Sequence, residues 1–360
     1  MRKLLLVVLM LCLSGLLLAD NHSETVFCGD LAAEDCDILV ASSEAMAGLT
    51  GASAEFMLNL NVAGMPGEMS ELALDVTGSG TYSGVDMMAM GAMAQDMDMM
   101  SAMTAAGEAI AAFNGELTLT LSLPAELAGA MGPDAPESIT LDLRLVEGVG
   151  YINFDTLSGL GLPAELSGWG GLDLVSSLQQ LAPMLGDMGD MGGMDTPEMS
   201  EEDMMAMTEG MTITRMEDED GAAVFMSTLD AAALFSNPTV RDAFLSQLEA
   251  QGMTGTDGEA IFDAFAENPD AFTFNMFTVI DLETFYVRTS SFEMSMDLGT
   301  LMAATGEETE GMENATFAMM GQLSYVAYND VPTIEAPEGA PVVTLNELFM
   351  ALSSMSAPQP

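Results

Sequence analysis

Basic residues are scarce in this chain: six lysines and arginines stand against 56 aspartates and glutamates, and there is a single histidine. A chain of formal charge −50 at pH 7 repels nucleic acid and anionic membrane surfaces, which excludes both as partners. The shortage also thins the inventory for catalysis. Lys3 is the one lysine, and His22, the one histidine, lies in "DNHSE" close to the N-terminus. No GxSxG, P-loop, HExxH or GxGxxG pattern occurs. Carboxylate pairs can act as acid and base, but among 56 acids a chance pair singles out nothing. The expectation is a protein that is not an enzyme and has no cofactor and no metal centre.

Long apolar runs are missing too, with one exception. The chain opens "MRKLLLVVLMLCLSGLLLAD", two bases followed by an apolar stretch that ends at Ala19. This reads as a signal peptide, residues 1–19, because the apolar core is short and no stop-transfer charges follow it. Cys12 is preceded by Met10 and Leu11, which is not the small-residue context of a lipid-anchored cysteine. Cleavage after Ala19 leaves four arginines (Arg144, Arg215, Arg241 and Arg288), no lysine and all the acids. The protein is therefore expected to be exported, periplasmic or extracellular, with no stable transmembrane span.

Cysteine is equally sparse. Beyond Cys12, only Cys28 and Cys36 remain, in "VFCGDLAAEDCDILV". An even pair at this spacing in an exported chain is most simply a disulfide closing a small loop.

What the chain does have is apolar residues, 49% of the total, enough for a sizeable core. Their period tells the elements apart. "DILVASSEAMAGL" (37–49) has helical spacing. "SAEFMLNLNVAG" and "SELALDVTGSGTYSG" then alternate with period two and predict an antiparallel hairpin. "NGELTLTLSLP", "ESITLDLRLVEG" and "GVGYINFDTL" are three more strands, the last two joined by a tight turn containing glycine. In "LPAELSGWGGLDLVSSLQQLAPML", Trp169 is expected in a Gly-rich loop, with an amphipathic helix from Leu172 to Met184. Residues 211–230 read as strand, acidic turn and strand. "DAAALFSNPTVRDAFLSQLEAQG" and "TGTDGEAIFDAFAENPD" are helical, residues 271–299 give two long strands, and 315–339 begin with another.

Runs of hairpin-linked strands around a helical block predict an α+β fold with a mainly antiparallel sheet. About ten strands in one sheet curl, which leaves a concave face for the helices to cover. The expected organisation is one domain over residues 20–343, with Met-rich insertions at 85–104 and 186–210, and a C-terminal helix or tail over 344–360.

The order of elements resembles the LolA/LolB and LppX/LprG superfamily of periplasmic and cell-envelope lipid carriers. The likeness rests on the export signal, the short helix before "SAEFMLNLNV" and the pair "ITLDLRLVEGVGYINF" followed by "LSGWGGLDL". It continues through the helices after "AVFMSTLD", the turn "VIDLETFYVR" and the closing "LSYVAYNDVPTIEAPEGA", and covers roughly residues 38–340. The resemblance implies an open half-barrel, a strongly curved sheet whose hydrophobic hollow holds acyl chains, and a possible cell-envelope partner protein.

Inward strand residues Phe56, Leu58, Phe274, Met276, Phe292, Met294 and Met296 are the candidate lining of such a hollow. Pocket and filled core share one sequence signature, so a structural envelope protein with a filled core stays as an alternative. The Met-rich segments leave a third. "GDMGDMGGMDTPEMSEEDMMAM" has thioethers that suit Cu(I), yet no His or Cys joins them; a mobile loop or lid ranks ahead of filler, and filler ahead of a copper site. The functional expectation is a non-catalytic binder or carrier of a hydrophobic, lipid-like molecule.

Overall fold

The computed structural model of the protein describes residues 26–66, 71–84, 107–124, 128–129, 136–160, 167–178, 180, 210–242, 245, 255–305 and 311–347. The expected signal peptide and His22 lie outside these residues, as do the Met-rich insertions apart from Gly210 and the tail beyond residue 347.

The helix expected at 37–49 runs from Ala33 to Ala47 (α1). Its earlier start places Glu34 and Asp35 in the first turn, where carboxylates complement the helix dipole. Cys28 and Cys36 are bonded, with Cα atoms 5.4 Å apart, so the disulfide ties the first turn of α1 to the segment before it.

Alternating sequence becomes strand: β1 (Gly51–Ala63), β2 (Glu71–Ser83), β3 (Asn114–Ser122), β4 (Ser138–Val146), β5 (Val149–Asn153), β6 (Trp169–Asp173), β7 (Met211–Arg215) and β8 (Ala222–Leu229). The helices α2 (Ala231–Ser236) and α3 (Gly255–Glu267) follow, then β9 (Phe272–Asp281), β10 (Val287–Asp297), α4 (Leu298–Thr305), β11 (Thr316–Tyr328) and β12 (Val342–Val343). The strands form one open sheet of twelve in the order β12-β6-β5-β4-β3-β2-β1-β11-β10-β9-β8-β7. Its hairpin neighbours β3–β4, β4–β5, β7–β8 and β9–β10 are antiparallel, whereas β12 joins β6 in parallel. The expected α+β class with a mainly antiparallel sheet is the one observed.

Two features depart from the sequence expectation. Trp169 is in strand β6, not in a loop: it pairs across from Asn153, and Gly171 from Tyr151. The helix that was expected to begin at Leu172 starts at Leu174. Asp173 sets that boundary by accepting hydrogen bonds from the Ser176 amide (2.8 Å) and hydroxyl (2.6 Å), as an N-cap does. These bonds, the Ser176 hydroxyl's first, hold the Asp173 carboxyl below its ordinary pKa. The second departure is α4, which was not expected. Its sequence, LGTLMAAT, is apolar on nearly every side and shows no period.

The chain divides into two compact units. Unit 1 comprises Met1–Met46, Leu58–Ala73 and Thr196–Gln322; unit 2 comprises Ala47–Met57, Leu74–Asp195 and Leu323–Pro360.

In unit 1, α2, α3 and α4 lie on one sheet face and fill it. Phe235, Phe262, Phe265, Phe272, Met296 and Leu301 are all buried there. Phe235 stacks on Phe265 with centroids 4.5 Å apart, and both rings meet Phe272 edge-on. Asp230 caps α2 by accepting from the Ala233 amide at 3.0 Å. A second cluster, Ala223, Phe225 and Ile280, is covered by Leu31, Ile38 and Leu39 from α1 and its lead-in. Arg215 lies over the Phe225 ring, 4.9 Å from its centroid.

The acidic turn after β7 ends in Asp220 and Gly221, both with positive φ (48° and 74°). This is hairpin-tip geometry, as expected for residues 211–230.

The turn between β9 and β10 is organised by one carboxylate. Asp281 accepts from the amides of Glu283 (2.9 Å) and Thr284 (2.8 Å) and from the Arg288 guanidinium (3.0 Å to Nε). The Arg288 side chain, followed by the Thr284 amide, holds the Asp281 carboxyl far below the usual carboxylate range. A depressed folded-state pKa stabilises the fold above about pH 4, and the contribution is lost as pH falls through the folded value. The urea midpoint of Asp281→Asn is therefore expected below that of the wild type at neutral pH, with the gap closing in strong acid. A gap that is the same at both pH values would show that this ionisation adds no stability.

Candidate functional site

Unit 2 is built from the strands that carry the plainest alternation in the chain. In β3, Leu117, Leu119 and Leu121 alternate with Glu116, Thr118 and Thr120; in β4, Leu141, Leu143 and Leu145 alternate with Asp142 and Arg144. Successive side chains on a strand point to opposite faces. The register brings like to like: Leu117 lies opposite Leu143, and Leu119 opposite Leu141. Leu143 in turn lies opposite Ile152, and Leu172 opposite Gly150. One face of these strands is apolar and the other polar.

The polar face satisfies itself. Arg144 lies 3.7 Å from Glu116, donates to the Glu335 carbonyl at 3.1 Å and sits over the Trp169 ring, 5.2 Å from its centroid. The Thr118 hydroxyl donates to Asp142 at 2.9 Å. Tyr151, Val146 and Ile334 form a small buried cluster with Trp169 packed against it.

The apolar face borders a cavity of about 950 Å³. Pockets that take small molecules run from about 300 to 1,000 Å³, so this one is large. Leu117, Leu143, Leu145, Ile152, Leu172 and Leu174 line it, with the rings of Phe56, Tyr82, Phe113, Phe154 and Tyr325 and the glycines Gly80, Gly115, Gly150 and Gly170; Glu116 and Arg144 also border it.

Those glycines let neighbouring side chains lie close to the strands. Gly80 lies opposite Leu117, and a side chain there would project from the apolar face. The other positions are used for close approach. A Cβ on Gly170 would stand 2.7 Å from the Phe154 ring, and one on Gly115 would stand 2.6 Å from the ring of Phe113. The aromatic rings thus lie against bare backbone, and the lining stays thin. Tyr82 and Phe113 stack with centroids 6.2 Å apart. Burial pushes the Tyr82 phenol up from its ordinary pKa, so at neutral pH it remains a hydrogen-bond donor.

The candidate lining residues named from sequence divide between the units. Phe56, on β1, lines the cavity. Leu58, Phe274 and Phe292 pack against the helix-covered core of unit 1, and Met294 and Met296 are buried within it, 4% and 1% exposed. Phe274 and Phe292 stack there at 6.3 Å. Met276, half-buried on β9, pairs with Phe292. Leucines 117, 143, 145 and 172 were not singled out from sequence.

Among the described residues, no helix is long and apolar enough to cross a membrane. No group of three or more His, Cys, Asp and Glu residues that could hold a metal ion occurs among them either.

No family model and no curated protein matches the chain. Among solved structures it is similar to a DUF1329 family protein from Desulfovibrio piger ATCC 29098. That match has 8% identity over 83% of this chain and 93% of the other, with a TM-score of 0.19. It is also similar to a beta-barrel-like protein of domain of unknown function DUF1849 from Brucella abortus. Here the identity is 9%, the coverage 78% of this chain and 100% of the other, and the TM-score 0.16.

Proposed function

We propose that this is an exported, non-catalytic binding protein or carrier that holds acyl, lipid-like ligands in the apolar cavity of unit 2. The observation that carries the reading is the cavity itself: about 950 Å³ bordered by leucine, isoleucine, aromatic rings and glycine. Each methylene transferred from water into such a space contributes about 0.8 kcal/mol, so an acyl chain is the ligand this lining rewards most. The side chains on this face bind rather than react.

Two further points support the reading. A disulfide between Cys28 and Cys36 suits an oxidising compartment outside the cytosol, in line with the N-terminal signal sequence. The order of elements resembles that of the LolA/LolB and LppX/LprG carriers, and a cell-envelope partner that loads or receives the ligand belongs to the same proposal.

The test is native mass spectrometry of protein purified without detergent from its own host. Adducts with the mass of an acyl lipid, released on denaturation, are the expected result. Bare protein, together with no uptake of the uncharged dye Nile red, would remove the carrier reading.

A further inference from the structure

We propose that the cavity of unit 2 selects uncharged acyl lipids, with an ester or an alcohol as their polar group, over anionic ones. The inference rests on the carrier reading above and names the class of ligand.

Arg144 and Glu116 are the charged residues among those that border the cavity, and the two are paired with each other. Arg144 is the only basic residue in unit 2, and strand alternation turns its side chain to the opposite face. There it is already committed to Glu116, the Glu335 carbonyl and the Trp169 ring. A carboxylate, sulfate or phosphate drawn into the cavity would lose its water and meet no cation except Arg144, which already has its partners, and unpaired burial of an ion is strongly unfavourable. Leaving the head group at the surface does not remove the penalty. It would then stand beside a unit whose other charges are all carboxylates, within reach of repulsion over the Debye length of about 8 Å at physiological salt.

A neutral polar group meets none of this. Tyr82 lines the cavity, and its protonated phenol can donate to an ester carbonyl or an alcohol oxygen. A neutral donor against a neutral acceptor costs little desolvation when the bond forms.

The experiment is displacement of Nile red from the full-length protein by a set of C16 ligands, each at a concentration where it stays dissolved as monomer: hexadecanol, methyl palmitate and hexadecanesulfonate. The sulfonate is charged at every accessible pH, so its state is not in question. The alcohol and the ester are expected to displace the dye, and the sulfonate to need at least about tenfold more. Displacement by the sulfonate at equal or lower concentration would overturn the selectivity and leave the carrier reading standing. If the dye does not bind and none of the three binds in native mass spectra, the carrier reading itself fails and this inference fails with it.

Discussion

Replacing Leu143 with glutamate is expected to weaken binding of an uncharged acyl ligand by about 30-fold or more, the effect of about 2 kcal/mol or more from placing an unpaired carboxylate in an apolar site. Leu143 is the central residue of the apolar face, with Leu117 opposite it on one side and Ile152 on the other. It is only half-buried, so the carboxylate can reach water when the cavity is empty, and the fold is expected to tolerate it. Far-UV circular dichroism and a cooperative melt establish that before affinity is compared by Nile red titration. Thr118→Ala, on the opposite face of the same sheet, is the control and is expected to bind as the wild type does. Equal affinity in Leu143→Glu and wild type would show that the ligand is held somewhere other than this cavity.

Truncating Phe265 to alanine is expected to destabilise the protein by about 3–5 kcal/mol, the usual range for a large aromatic removed from a core. Phe265 is 1% exposed, stacks on Phe235 at 4.5 Å and meets Phe272 edge-on at 5.8 Å. The stack and the edge contact add to the area term. Phe235 on α2 and Phe272 on β9 lose their shared partner on α3 at once, so the hole cannot close by moving one side chain. Urea unfolding followed by circular dichroism measures the loss. A change below about 1 kcal/mol would mean that this face is loosely filled and behaves as a hollow rather than a packed core.

Alternation made most of the strands legible. The Leu/Thr pattern of β3 and the Leu/Asp/Arg pattern of β4 can bury one face only in an extended conformation, and the Glu147–Gly148 turn between β4 and β5 has positive φ at both residues (49° and 82°), as a two-residue hairpin requires. The disulfide was legible because two cysteines in a short, exported segment have few other uses. α4 was not legible: eight residues that are almost all apolar carry no period to read. Trp169 was misplaced because its neighbouring glycines read as loop, whereas their lack of side chains is what lets the rings of Phe154 and Tyr151 lie against β6.

The candidate site was legible only in part, and the reason is volume. Phe274, Phe292, Met294 and Met296 on one pair of strands and Leu117, Leu143 and Leu172 on others obey the same alternation. Period and hydropathy state which face of a strand avoids water, but not what comes to cover it. By itself, the sequence determined the strand faces, the acidic surface, the Cys28–Cys36 pairing and the scarcity of cations. The tertiary structure decided which apolar face became a core and which a cavity. In unit 1, phenylalanines from α2 and α3 meet Phe272 on β9 and fill the space. In unit 2, the apolar face of β3 to β6 borders a space of about 950 Å³ instead, because close packing depends on which side chains meet across the chain and not on their order along it.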